Sequence, residues 1–166
     1  MFRFFTVFLV IQLALFAAEL TKPVQQAVVI PFTEYIAAFS AWLVKMFDPG
    51  VISQGIILRD AESGCAVAIQ AGCNGVEATI VLIAAMVAFP SPWRWKLIGI
   101  GAGFVAIQFM NLLRIITLFY LGQWNHTAFE WAHLYIWQAL IMLDVLVVFL
   151  IWLRYLPRKQ VIEDAS

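Results

Sequence analysis

The sequence predicts an all-α polytopic membrane protein with four or five transmembrane helices. A small extracytoplasmic β-hairpin precedes the helix that follows Cys73. Three observations carry this. First, 64% of the 166 residues are hydrophobic and 12% are charged, and mean hydropathy is +0.92. A water-soluble fold of this size needs more polar surface. Second, apolar stretches recur at the length a bilayer demands, about 20 helical residues for a hydrocarbon core of about 30 Å. Third, Lys and Arg gather in particular loops, which orients the helices. Ten basic and ten acidic side chains leave a net charge of zero, so there is no electrostatic case for nucleic acid. One membrane-embedded domain over residues 1–166 accounts for the chain.

Residues 4–20 form the first candidate span. Its apolar run resembles a signal peptide, with Phe16, Ala17 and Ala18 as a poor cleavage site. The run continues from Leu13 to Leu20 without a polar cleavage region, which favours a retained helix. Residues 27–47 form the second candidate, interrupted by Pro31, Glu34 and Lys45. If it crosses, there are five helices and Met1 lies outside, as Lys22 favours. If it lies in the interface, there are four and Met1 lies inside, as Arg3 favours.

The pattern changes over residues 48–72. Val51 to Leu58 is rich in Ile and Val, Asp60 to Gly64 is a turn signal, and Cys65 to Gln70 is a second short apolar run. This reads as a hairpin lying over the outer side of the membrane. Residues 74–89, 97–120 and 133–153 are three further spans. The loop Pro90 to Lys96 is short, basic and aromatic, and the tail 157–166 carries Arg158 and Lys159 just after Arg154. Both are therefore expected in the cytoplasm. The segment Leu121 to Ala132 lacks Lys and Arg and is expected outside.

That topology brings three chemically capable side chains to one depth. Cys73 stands in Ala-Gly-Cys-Asn-Gly-Val-Glu, just before a span. Arg114 stands in Asn-Leu-Leu-Arg, about 26 Å up its helix from Leu97. His133 opens the last span in Glu-Trp-Ala-His. An imidazole can take the proton of a thiol, and a guanidinium presents five N–H donors to a developing oxyanion. Each residue also has a plain reading. The Arg snorkels to headgroups, the His contacts the interface, and the Cys fills apolar space. The coincidence of all three at the outer face favours the chemical reading.

Neighbouring polar residues suggest a lined cavity. Asn74 follows the thiol directly. Glu77, one turn below it, is placed to pair with Arg114, or is simply one of two independent charges. Asn111 is one turn from Arg114, and Gln108 one turn further in. Glu130 is placed to orient His133, or is solvated. Asp144 returns to nearly the same helix face as His133, about 16 Å deeper. Gly99 and Gly103 form a small-xxx-small pair that lets helices approach closely. Cys65 reads as a packing residue, although outside the cytoplasm it could be disulfide-bonded to Cys73. Two His and two Cys scattered in this way make no metal site, and no cofactor is expected.

The motifs Ala-Gly-Cys-Asn-Gly-Val-Glu-Ala at 71–78 and Asn-Leu-Leu-Arg-Ile at 111–115, with His133 opening the last helix, resemble the exosortase/archaeosortase family. The short length and the wording around Cys73 look most like its exosortase H subfamily. The resemblance covers roughly Ile57 to Leu153, and the chain is shorter than typical members, which carry more N-terminal helices. It implies a membrane cysteine protease or transpeptidase with Cys73 as nucleophile and Arg114 and His133 as its partners. It implies a bacterial inner-membrane location with the site facing the periplasm. The implied substrates are exported proteins ending in a short motif of the Ile-Pro-Thr-Leu type, an apolar helix and a basic tail. Two other readings stay open. One is a membrane thiol oxidoreductase using Cys65 and Cys73, although a Cys-x-x-Cys spacing is missing. The other is a non-enzymatic transporter subunit with Glu77, Arg114 and Asp144 as a polar path.

Overall fold

A computed structural model describes residues 2–70 and 72–156. The cytoplasmic tail expected over 157–166 lies outside the described residues. Five helices and one small sheet make up the rest. Helices α1 (Phe2–Glu19), α2 (Lys22–Val44), α4 (Trp93–Trp124) and α5 (His126–Tyr155) are each long and apolar enough to cross a membrane. Helix α3 (Val76–Ala88) has 13 residues, about 20 Å of rise.

Local sequence sets these lengths. The segment expected to span over 74–89 begins its helix only at Val76, because Gly72 and Gly75 hold left-handed φ angles of 84° and 76°. Only glycine adopts that conformation without strain. It ends at Ala88 because Phe89, preceding Pro90, is extended. In α2 a π-helical turn over Gln25–Val29 ends two residues before Pro31, whose missing N–H would break a regular ladder. The segment 121–132, expected as a loop, is helical on both sides of one extended residue, Asn125. Its side chain accepts from the N–H groups of Thr127 and Ala128 at 2.9 and 3.2 Å, so one N-cap turns the chain sharply into α5.

The expected hairpin is a three-stranded antiparallel sheet, β1 (Val51–Gln54), β2 (Ile57–Asp60) and β3 (Ala66–Ala68), in the order β1-β2-β3. The run read as a single strand is broken by Gly55 at φ 58°. Gln54 pairs with Ile57 around a two-residue Gly55–Ile56 loop, the pattern of a tight hairpin with glycine first. The second turn is stapled by Asp60, whose carboxylate accepts from the N–H groups of Glu62 and Ser63, both at 3.0 Å.

Two apolar cores organise the whole. At the sheet end, Ile36, Ala37, Ala41 and Val44 of α2 pack with Val51, Leu58 and Ile69 and with Ile115 and Phe119 of α4. At the other end, α3, α4 and α5 meet through Leu82, Met86, Ile107, Ile141, Val145 and Trp152. Gly99 and Gly103 permit that approach, since a Cβ there would collide with Trp152 and Leu82 respectively. The Trp152 indole N–H donates to the Trp95 carbonyl at 2.8 Å.

Candidate active site

The sheet delivers the chain from β3 into the Gly72–Gly75 loop, and this loop sits where α3, α4 and α5 converge. The Cys73 Sγ lies 3.1 Å from the His133 Nε2. Arg114 donates from Nη2 to the same sulfur at 3.5 Å and from Nη1 to the Gly72 carbonyl at 3.1 Å. Three elements thus supply one group each, and the guanidinium holds both the sulfur and the backbone beside it. His133 sits in a π-helical turn, Ala132–Ile136, closed by the Trp137 N–H on the Ala132 carbonyl. The extra residue in such a turn re-aims the side chains it carries. The Phe129 ring stacks on the imidazole, with centroids 5.7 Å apart and 13° between planes.

The loop has its own anchors. Asn74 is fully buried. Its amide donates to the Thr33 hydroxyl of α2 at 3.0 Å and its carbonyl accepts from the Val76 N–H at 3.1 Å. Thr33 donates in turn to the Val29 carbonyl at 2.7 Å. Every hydrogen bond in this relay is made, so it fixes the loop to α2 without an orphaned group. Glu77 accepts from the Gly72 N–H.

Burial raises the Cys73 thiol above the ordinary range; the Arg114 cation pulls it down and the Glu77 charge adds a smaller push upward. A thiol so placed rests protonated at neutral pH, and it needs a base to become a nucleophile.

Some expected pairings differ. Glu77 bonds the Gly72 N–H rather than Arg114, because it stands in the first turn of α3, where backward reach to the preceding loop is short. Glu130 lies 3.6 Å from the His126 Nδ1, one turn back along the exposed face of α5, and Phe129 is what lies against His133. Cys65 is a free thiol, like Cys73, and lies near Gly122, where a Cβ would be 3.7 Å from its Sγ. Gly122 is about 12 Å further along α4 than Arg114, so the two thiols occupy different levels of the fold.

Below Arg114 the helix carries unpaired polar atoms. Both amide atoms of Asn111 and of Gln108 are cut off from solvent without a partner, as is the Arg114 Nε. Each such atom costs about 1–3 kcal/mol. The Asp144 Oδ2 in α5 is likewise unpaired. Sequence reading missed Thr33, Phe129 and Glu19. Phe129 stands four residues before His133, a spacing that puts two rings on one helix face. Glu19, buried at the end of α1 and within range of the Glu77 charge, and Thr33 gave no such signal.

The fold and this cluster define a polytopic membrane protein in which a thiol, an imidazole and a guanidinium meet at the sheet-covered end of the bundle. The chain belongs to the transmembrane exosortase family, whose model matches residues 2–153. No curated protein and no solved structure matches it. The family supports a membrane transpeptidase-like role acting on protein substrates.

Proposed function

We propose that the protein is a membrane cysteine protease or transpeptidase that cleaves C-terminal sorting signals of exported proteins through a thioester on Cys73. The observation that carries this is the 3.1 Å approach of the Cys73 Sγ to the His133 Nε2, with Arg114 on the same sulfur. Neutral His133 takes the thiol proton as the sulfur attacks the scissile carbonyl. Arg114 holds the resulting oxyanion with N–H donors already oriented by the Gly72 carbonyl. The intermediate collapses, the C–N bond breaks, and His133 returns its proton to the leaving amine. Water or an amine then resolves the thioester and frees the sulfur.

The site lies at the end of the bundle covered by the sheet. Arg94 and Lys96, in the first turn of α4, lie at the other end, which supports an outer, periplasmic placement in the bacterial inner membrane. A substrate anchored by its own apolar helix presents its motif at this depth, and its basic tail remains on the cytoplasmic side. The likeness of the Gly-Cys-Asn-Gly-Val-Glu wording to the exosortase H subfamily implies substrates of the Ile-Pro-Thr-Leu type. The test is a reporter ending in such a motif, an apolar helix and a basic tail, co-expressed with the enzyme. Wild type shortens it and Cys73→Ala does not, although the variant inserts normally. Normal shortening by Cys73→Ala would overturn the proposal. The separate levels of Cys65 and Cys73 weigh against a redox pair, which predicts equal damage from Cys65→Ser.

A further inference from the structure

Five unpaired polar atoms fall within seven residues of α4: both amide atoms of Gln108, both of Asn111, and the Arg114 Nε. Asn111 is 0% exposed and Arg114 3%. At membrane depth no bulk water satisfies such groups, and apolar residues of similar shape would make a more stable helix. Their place indicates what they serve. Both ends of the stretch touch the loop that carries Cys73. Arg114 bonds Gly72 and the sulfur, and the Gln108 amide fills the space beside Gly75, where a Cβ would fall 2.8 Å from Nε2. Asn111 lies midway. The ridge therefore starts beside the thiol and runs away from the sheet, into the bilayer. At Gln108 it reaches a groove of about 300 Å³ between α2 and α4, walled by Phe32, Phe39, Phe104 and Phe109.

We propose that Asn111 and Gln108 form a subsite that hydrogen-bonds the substrate's peptide backbone just C-terminal to the scissile bond, with the groove between α2 and α4 receiving the apolar residues that follow. This rests on the thioester reading above. A carboxamide offers a donor and an acceptor in one head, matching the C=O and N–H of a peptide group. From Arg114 to Gln108 is about 9 Å of helix, and an extended chain advances about 3.3 Å per residue. The ridge thus spans about three residues. A substrate anchored by a helix downstream of its cut has those residues on the bilayer side of Cys73, where Asn111 and Gln108 stand. Lipid tails also fit the groove but offer nothing to the amides.

The test uses Asn111→Leu and Gln108→Met in the full-length protein. Melting temperature, reporter processing and alkylation of Cys73 by iodoacetamide are measured for each. The subsite predicts a higher melting temperature, a KM for the reporter raised at least tenfold, and unchanged alkylation. Wild-type KM in both variants would overturn it. So would a lowered melting temperature together with altered alkylation, which marks the amides as packing groups. Failure of the wild type itself to process the reporter or form an adduct at Cys73 is a separate result, and it removes the thioester reading on which the subsite rests.

Discussion

The two ends of the bundle treat buried polar groups in opposite ways. At the end of Pro90 to Lys96, Lys96 donates to the Val87 carbonyl at 2.8 Å and Trp152 donates to the Trp95 carbonyl at 2.8 Å. Among the described residues the Ser91 Oγ is unpaired there, as is the Asp144 Oδ2 deeper in α5, between Ile141 and Val145. Glycines bring the helices into close contact, and the polar atoms mostly complete that packing. At the sheet end the groups that fix the loop are fully bonded, as in the Thr33–Asn74 relay. The polar atoms along α4 from Arg114 Nε to Gln108 are not. Native interiors seldom tolerate such atoms without a use. The contrast teaches that one end is built to hold helices together, whereas the other holds a thiol between an imidazole and a guanidinium and leaves polar atoms beside them free, as the proposed chemistry requires.

Three experiments break or sharpen this contrast. The largest effect is expected from His133→Ala. With His133 as the proposed general base, its loss lowers processing by about 10²- to 10⁴-fold, while insertion and helical content stay unchanged. A processing rate near wild type would detach the imidazole from proton transfer. Next comes Gly103→Leu at the opposite end. A side chain there collides with Leu82, and overpacking of this kind costs about 1–3 kcal/mol, read as lowered thermal stability in detergent. Gly101→Leu, with nothing within 4 Å of its Cβ, is the neutral control. Equal melting of the two variants would contradict the close helix approach.

The smallest effect concerns pH. Burial raises the Cys73 thiol and Arg114 pulls against it. In a Cys65→Ser background, alkylation of Cys73 should therefore rise with a midpoint above the free-thiol value of about 8.5. Arg114→Gln removes the stabilising cation and should move the midpoint higher still. A midpoint below the free-thiol value, or a downward move in Arg114→Gln, would show the sign to be wrong.

Depth was legible in the sequence, and facing was not. Helical rise and the placement of Lys and Arg put Cys73, Arg114 and His133 at one level before any coordinates. Rotation about each helix axis is what decides whether Glu77 meets Arg114 or Glu130 meets His133, and here the sequence was mute. Membrane helices are apolar on nearly every face, so hydrophobic patterning carries little information on which side is buried. The π turn at Ala132–Ile136 shifts the facing of His133 again, and no residue in it announces that turn. Asn125 was readable in hindsight, since an Asn followed by a helix-forming run is an N-cap signal. The break at Gly55 was readable too, as a lone glycine inside an apparent strand.

The most direct measurement is the intact mass of wild-type protein rapidly quenched in acid during turnover of the tripartite reporter. The account predicts an added mass equal to the reporter's N-terminal fragment, carried on the peptide containing Cys73 and released by hydroxylamine as a thioester would be. An adduct on Cys65, or turnover with no covalent species in any quench and no effect of Cys73→Ala, would contradict it.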